Sequence, residues 1–460
     1  MTSVVSDGEH HQPELQAARL VAMAGRDGFD TLRAENRDEW RRLWRGRIRL
    51  IGAEPRWQAM ADAAFYYLNT SVHASALAST SIFGLAAWPD YHYYYGHVMW
   101  DIETFVVPVV TLLQPHAARA LLDYRTRRLQ AARGNAALFG RLGLQFPWES
   151  GRSTGEEGAP LPGSASWHED HVSLDVAHAF AVHADITGDL RFRDEKAAPV
   201  LAGVADWLTS RVVKTTRGYE IKAAMGVAER KTPSDNPAFV NMSAKVVLND
   251  AMRICDAASV HCDPCWIEVA EGLALPIEDG ALVSHDGWRP DEEKGATPDP
   301  LLAIFPLGGE LPDEVREATF ARYLALAEDY IGSPMLSALY GAWAAMTGDR
   351  KEALRLLEEG YGKFCAPRFG QTLEYRPDRF PDQPMAGPFF ADIGGFLLSL
   401  LLGFTGLRPG ANDPGEWAVR DVTLPSGWDA IEVDQLWIHG RAMRLVAQHG
   451  ARARLKQAAA

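Results

Sequence analysis

The sequence predicts a mainly α-helical protein, a toroid of paired helices ending in a small β appendage. Three observations predict it. Apolar residues recur at helical spacing in runs near 98–113, 115–139, 171–187, 190–212, 241–259, 264–274, 313–328, 335–347, 350–364 and 392–405. Most runs follow one another as consecutive pairs, while long Gly- and Pro-rich connections fall near 143–167, 224–239, 275–311 and 366–390. Connections of that length in a compact domain are usually functional, and a ring of helical hairpins can gather them at one end over a pocket. After Pro409 the pattern changes: residues 416–450 alternate over short runs broken by Gly and Pro, as β-strands do.

In chain order, residues 1 to about 12 are polar and carry no core signal. Residues 17 to about 50 read as a charged amphipathic helix with Trp40 and Leu43 on one side, and a second helix runs from Pro55 to about Ala74. The loop TSIFGLAAWPDYHYYYG, residues 80–96, is too aromatic for exposed chain and is expected to wall a cleft. The tail RARLKQAAA is expected to fray. The expected division is a tail and linker helix over 1–50, the helical ring over 51–408 and the β appendage over 409–460.

Composition narrows the partners. With 47% hydrophobic residues, 14 Trp, 13 Tyr and 18 Phe, a large core still leaves aromatics for a binding cleft. The net charge of −14 argues against nucleic acid or an anionic membrane as partner and leaves a small-molecule ligand. The N-terminal residues lack the basic and apolar regions of a secretory signal, and no run of about 18 apolar residues offers a membrane span, so a cytoplasmic location is expected. Cys262 and Cys265 form a C-D-P-C pair, but no second ligand pair stands at zinc spacing. With Cys255 and Cys365 they are expected to be reduced structural thiols, and no metal or organic cofactor is expected. The oligomeric state stays open, a homodimer included.

The stretch YYYGHVMWDIETFVVPVV, residues 93–110, carries the first chemistry. It is apolar on nearly every side from Val98 onward, yet His97, Trp100, Asp101 and Glu103 stand at its start. Carboxylates at the mouth of an apolar helix are costly unless paired or used, which points to a pocket. An indole beside a carboxylate suits a sugar, the ring covering C–H faces while the carboxylate takes hydroxyl protons. An acidic turn complementing the helix dipole explains the same residues without a ligand.

The long loops hold the other candidates. QFPWESGRSTGEEG places Trp148 and Glu149 among glycines that let backbone approach a ligand. WHEDHVSLD sets Glu169 and His171 at a helix start, where they serve ligand hydroxyls or cap the helix. Glu229 lies in a Gly- and Pro-punctuated loop, and Glu374 stands between Leu373 and Tyr375. Two such groups match inverting cleavage of a glycosidic bond, in which one protonates the leaving oxygen and the other activates water from the opposite face.

Taken together, GHVMWD, FPWES…TGEE, E-D-H, MGVAE…NPAFVN and GGFLLSLLLGFTGLRP, in this order, resemble glycoside hydrolase family 65 over roughly Leu43 to Gln448. That family holds inverting α-glucoside hydrolases and disaccharide phosphorylases. The resemblance implies an (α/α)6 barrel with a small C-terminal β appendage, in a form without the family's large N-terminal β-sandwich. It implies sugar contacts at Trp100, Asp101, Trp148 and Glu149. It makes Glu229 the proton donor, although the family's Asp before it is Ala228 here, and it points to Glu374 as the base. The family's Lys-Gln pair falls near Ala296 and Thr297, where neither is kept. A phosphorylase sets a His at the position of Phe389, and FFADIGG is more like the hydrolases. The expected function is therefore an inverting hydrolase of an α-glucoside or related sugar conjugate. The alternatives are an inverting disaccharide phosphorylase and a catalytically altered sugar-binding protein of specialised metabolism, the latter motivated by Ala228, Ala296 and Thr297.

Overall fold

In the computed structural model, residues 12–84, 93–159, 165–366 and 370–458 are described. Positions 1–11 and the central part of the aromatic loop, 85–92, lie outside them.

Helix pairs dominate, as the 3.6-residue periodicity requires. Among the described residues six helices form an inner ring: Ile102–Val106 continuing as Val107–Leu113, His171–Thr187, Ala238–Ala257, Asp299–Ile304, Leu336–Leu339 continuing as Tyr340–Met346, and Phe390–Leu398 continuing as Ser399–Gly403. Their sequences are apolar nearly all round, and Val107–Leu113 and Phe390–Leu398 are buried at every position. Successive members pack on one another, the Trp343 indole N–H bonds Phe305 O at 3.0 Å, and the last helix packs against the first. Each has an amphipathic outer partner: Pro55–Ser71, Pro115–Arg127, Ala198–Arg211, Pro264–Gly272, Asp313–Ala325 and Arg350–Gly360. Arg350–Gly360 shows why these lie outside, with Ala353, Leu356, Leu357 and Gly360 buried on one face and charges on the other. The architecture is an (α/α)6 barrel with a small C-terminal sheet, as the sequence predicts.

Three local expectations need correction. The charged run before residue 50 is two helices, Pro13–Asp27 and Phe29–Leu43, broken at Gly28, whose φ of 76° ends the first. It is followed by a strand, Ile48–Ile51, rather than more helix. The described part of the tail is not frayed: Arg454–Gln457 pairs with Arg441–Gln448, with Leu455 opposite Leu445. Finally, the expected loop at 275–311 contains the short inner helix Asp299–Ile304.

The sheet is antiparallel in the order Ile48–Ile51, Ala430–Ile438, Arg441–Gln448, Arg454–Gln457. Ile431, Val433, Leu436 and Ile438 face inward along its central strand. The hairpin turns through His439 and Gly440, both at positive φ, as a two-residue hairpin loop demands. His439 N–H bonds Ile186 O at 2.9 Å, docking the sheet on the end of His171–Thr187.

All four cysteines are free, with Cys255 buried. Among the described residues no helix is long and apolar enough to cross a membrane.

Candidate active site

The chemistry-bearing residues gather at the N-terminal ends of the inner helices. Trp100 and Asp101 precede the first helix, Glu169 the second and Met335 the fifth, while Asp299 opens the fourth and Asp392 lies in the first turn of the sixth. The loop carrying Glu229 leads into the third. Six helix ends offering unpaired N–H groups and partial positive charge favour carboxylates at this face.

Two motifs far apart in sequence are joined by the smallest possible ladder. Val98 pairs with Ser150 and Met99 with Glu149, which sets Trp100–Asp101 beside Trp148–Glu149. The Glu157 carboxylate fixes that second loop, accepting N–H bonds from Trp148 at 2.8 Å and from Glu149 and Ala159 at 3.1 Å each. His97 Nδ1 lies 2.7 Å from Glu149 Oε1. Gly158 is required there, since a Cβ would come within 2.8 Å of His97 Nδ1. The Trp148 indole nitrogen is buried without a partner among the described residues.

Glu103 does not face the site. The π-helical first turn Ile102–Val106 carries it to Arg125, which donates Nε and Nη2 to its two oxygens at 2.7 and 2.8 Å, and Nη1 to Ser150 Oγ. Both side chains are about 1% exposed or less, so the pair is a buried brace beneath the ladder. Replacing Arg125 by Met strands Glu103, and a buried charge without its partner costs about 3–5 kcal/mol. We expect urea or thermal unfolding of Arg125→Met to show that loss, and the double variant Arg125→Met/Glu103→Leu to recover much of it.

His171, read from the sequence as a ligand contact, is instead held between two carboxylates. It is wholly buried, edge-on to Trp100 with centroids 4.7 Å apart, and both ring nitrogens are taken. Nδ1 donates to Asp175 Oδ2 at 2.7 Å and Nε2 to Glu169 Oε2 at 3.2 Å. Burial opposes its charge, but Asp175 and Glu169 outweigh burial and raise it to about 10, an imidazolium between two carboxylates. Glu169 Oε1 is left buried without a partner among the described residues. Asp175 was missed because an acid one turn into a helix reads as a surface charge.

Burial lifts Asp101 to about 8, helped by the nearby carboxylates of Glu169 and Glu229, and lifts Glu169 to about 7. Between its ordinary value of 3.8 and about 8, folded Asp101 holds a proton that the unfolded chain has released. Its stabilising contribution is therefore complete below 3.8 and lost as pH rises toward 8. In thermal unfolding across that window, Asp101→Asn should lose less stability with rising pH than the wild type.

Glu229 sits near the tip of a loop closed by paired N–H···O bonds between Ala224 and Ser234, both 2.9 Å. Its φ of 34° turns the chain sharply, and its side chain is 44% exposed. The next residue, Arg230, is locked to His285 and Glu292. Lys294, which no sequence motif flagged, stands 3.8 Å from Glu229 Oε2, two residues before Ala296. Asn241 is spent on structure, donating to Asn236 Oδ1 and Ala274 O.

Glu374, 5% exposed, follows the strand Gln371–Thr372, its N–H bonded to Ala386 O at 2.9 Å, while Phe389 N–H bonds Thr372 O at 3.0 Å. These bonds lay Glu374 along the segment that opens the helix Phe390–Leu398. Asp392 in that helix feels the charges of both Glu374 and Asp101, and Asp101 feels that of Glu229. Charge thus links Glu374 to Asp392, Asp392 to Asp101 and Asp101 to Glu229 in turn. A separate hollow of about 1310 Å³ runs between the inner helices, lined by Asp175, Met242, Arg253, Leu302 and Leu402, and holds neither Glu229 nor Glu374.

Residues 90–292 match the glycosyl hydrolase family 65 central catalytic domain. The chain is 29% identical over 446 residues to a kojibiose hydrolase of Flavobacterium johnsoniae, covering 96% of this chain and 63% of that one. It is 31% identical over 391 residues to the protein-glucosylgalactosylhydroxylysine glucosidase of Danio rerio, covering 82% and 58%. Residues 90–292 are thus a glycoside hydrolase family 65 catalytic domain. The chain spans less than two thirds of the length of these relatives. In fold, a candidate kojibiose phosphorylase from the human microbiome superposes with a TM-score of 0.77 at 15% identity, over 98% of this chain and 68% of that one. That likeness bears on the barrel alone, and family 65 barrels are of the (α/α)6 kind.

Proposed function

We propose that this protein is an inverting glycoside hydrolase of an α-glucoside or related sugar conjugate. Glu229 protonates the leaving oxygen, and Glu374 deprotonates the attacking water. Asp101, Glu149 and Glu169 take sugar hydroxyls, with the indoles of Trp100 and Trp148 as apolar walls and His97 and His171 orienting Glu149 and Glu169. A half-exposed donor and a buried base suit this division of labour, because the leaving group departs outward.

The observation that carries hydrolysis over phosphorolysis is the pairing of Glu374 with a second buried acid, Asp392, behind Phe389, Phe390 and Ala391. A phosphate dianion needs cationic or amide donors, and the Glu374 carboxylate repels it. The hydrolases and glucosidases among the relatives agree with this reading. Kojibiose and glucosyl-galactose conjugates are accordingly the first substrates to try.

Proton NMR of such a panel, with and without phosphate, tests the proposal. We expect β-glucose as the first product at a rate indifferent to phosphate. Sugar 1-phosphate would make it a phosphorylase, and α-glucose a retaining enzyme. A second reading rests on Ala228, Ala296 and Thr297: calorimetric sugar binding without cleavage across the panel would make it a binding protein.

A further inference from the structure

We infer that Asp392 is a third acid of the site, whose Oδ2 donates a hydrogen bond to the water that Glu374 deprotonates. The inference rests on the hydrolytic reading above.

Asp392 is wholly buried in the first turn of Phe390–Leu398. Its Oδ1 accepts the Met335 N–H at 2.7 Å. Met335 has φ 63° and ψ −79°, a backbone that an L residue rarely adopts, and the turn aims that N–H at Asp392. Oδ2 has neither solvent nor a partner among the described residues. A buried polar atom in that position needs a hydrogen-bond partner, and a bound water is the usual one.

The protonation state follows from what faces the group. Burial, then the carboxylates of Glu374 and Asp101, push it well above the usual carboxylate range, against the pull of the Met335 N–H. The other groups that feel its charge are the buried hydroxyls of Tyr330 and Tyr361 and the thiol of Cys365. No cation among the described residues offsets it. With Oδ1 occupied as an acceptor, the proton resides on Oδ2.

A water bound at Oδ2 and shared with Glu374 would then be held at two points. The Asp392 O–H uses one lone pair of its oxygen and leaves the other for the anomeric carbon. In the step, a water proton passes to Glu374, the water oxygen bonds the anomeric carbon, and the bond to the leaving oxygen breaks as that oxygen takes the Glu229 proton. Asp392 keeps its own proton.

Two measurements test this. Infrared difference spectra of wild type against Asp392→Asn at neutral pH should show a lost protonated-carboxyl band, a readout independent of turnover. In kinetics, Asp392→Asn keeps an acceptor for Met335 and an N–H donor in place of Oδ2, and should keep most of kcat. Asp392→Val lacks both and should lose about 10²-fold in kcat with KM little changed. The acidic limb of its pH profile should also move upward, because the Glu374 carboxylate loses a water-mediated donor. A role confined to bracing Met335 would lower Tm without moving that limb. No lost band, an Asn variant as slow as Val, a Val variant at wild-type rate, or an unmoved limb each overturns the inference. A wild type inert on every glucoside sinks the hydrolytic reading itself, whereas an active wild type with any of those results sinks only the role of Asp392.

Discussion

Glu374→Gln should abolish most turnover on every substrate, whatever its leaving group. A general base contributes about 10²–10⁴-fold, and water must be activated however readily the aglycone departs. The loss should therefore be as deep on an aryl α-glucoside as on a disaccharide. Because the side chain is almost wholly buried and its backbone is pinned to Ala386, the Gln variant should fold and bind glucose. Azide, which needs no deprotonation, should restore turnover in Glu374→Ala and yield the β-glucosyl azide. A Glu374→Gln enzyme within tenfold of wild type would remove Glu374 from the mechanism.

Glu229→Gln should behave differently, and the contrast is the diagnostic. On disaccharides, whose leaving oxygen must be protonated, kcat should fall by about 10²–10⁴-fold. On aryl glucosides with acidic phenols the loss should shrink to a small fraction of that, with no rescue by azide. The neighbouring Lys294 adds a second handle, 3.8 Å from the Glu229 carboxylate. Equal losses on both substrate types would mean that Glu229 is not the proton donor.

Much of the architecture was legible because it is written locally. The helices at 171–187, 350–360 and 390–403 carry their own periodicity and were placed to within a few residues. What escaped depends on distant partners. Ile48–Ile51 is a strand only because Ala430–Ile438 accepts it, and Arg454–Gln457 only because Arg441–Gln448 does. Asp299–Ile304 is too short for its period to stand out before Pro306.

The site divides the same way. The Trp-Asp and Trp-Glu pairs are visible as motifs, but their adjacency is made by a two-residue ladder that no periodicity announces. Glu103 looks equivalent to Asp101 in sequence, yet a π-helical turn sends it to Arg125. His171 looks like a ligand contact and is instead enclosed by Asp175 and Glu169. Asp392 reads as an ordinary acid at a helix start, and only its depth and its unmatched oxygen mark it out.

The strand Ile48–Ile51 has a consequence for how the chain comes off the ribosome. It is bonded to residues made far later, Arg49 being paired with Asp434, 385 positions on. Hairpins of the ring can form as they emerge, but the seam between the first and last helices stays open until translation is nearly done. During that interval the apolar walls of Val107–Leu113 face outward, and the nascent chain should depend on chaperones most heavily then.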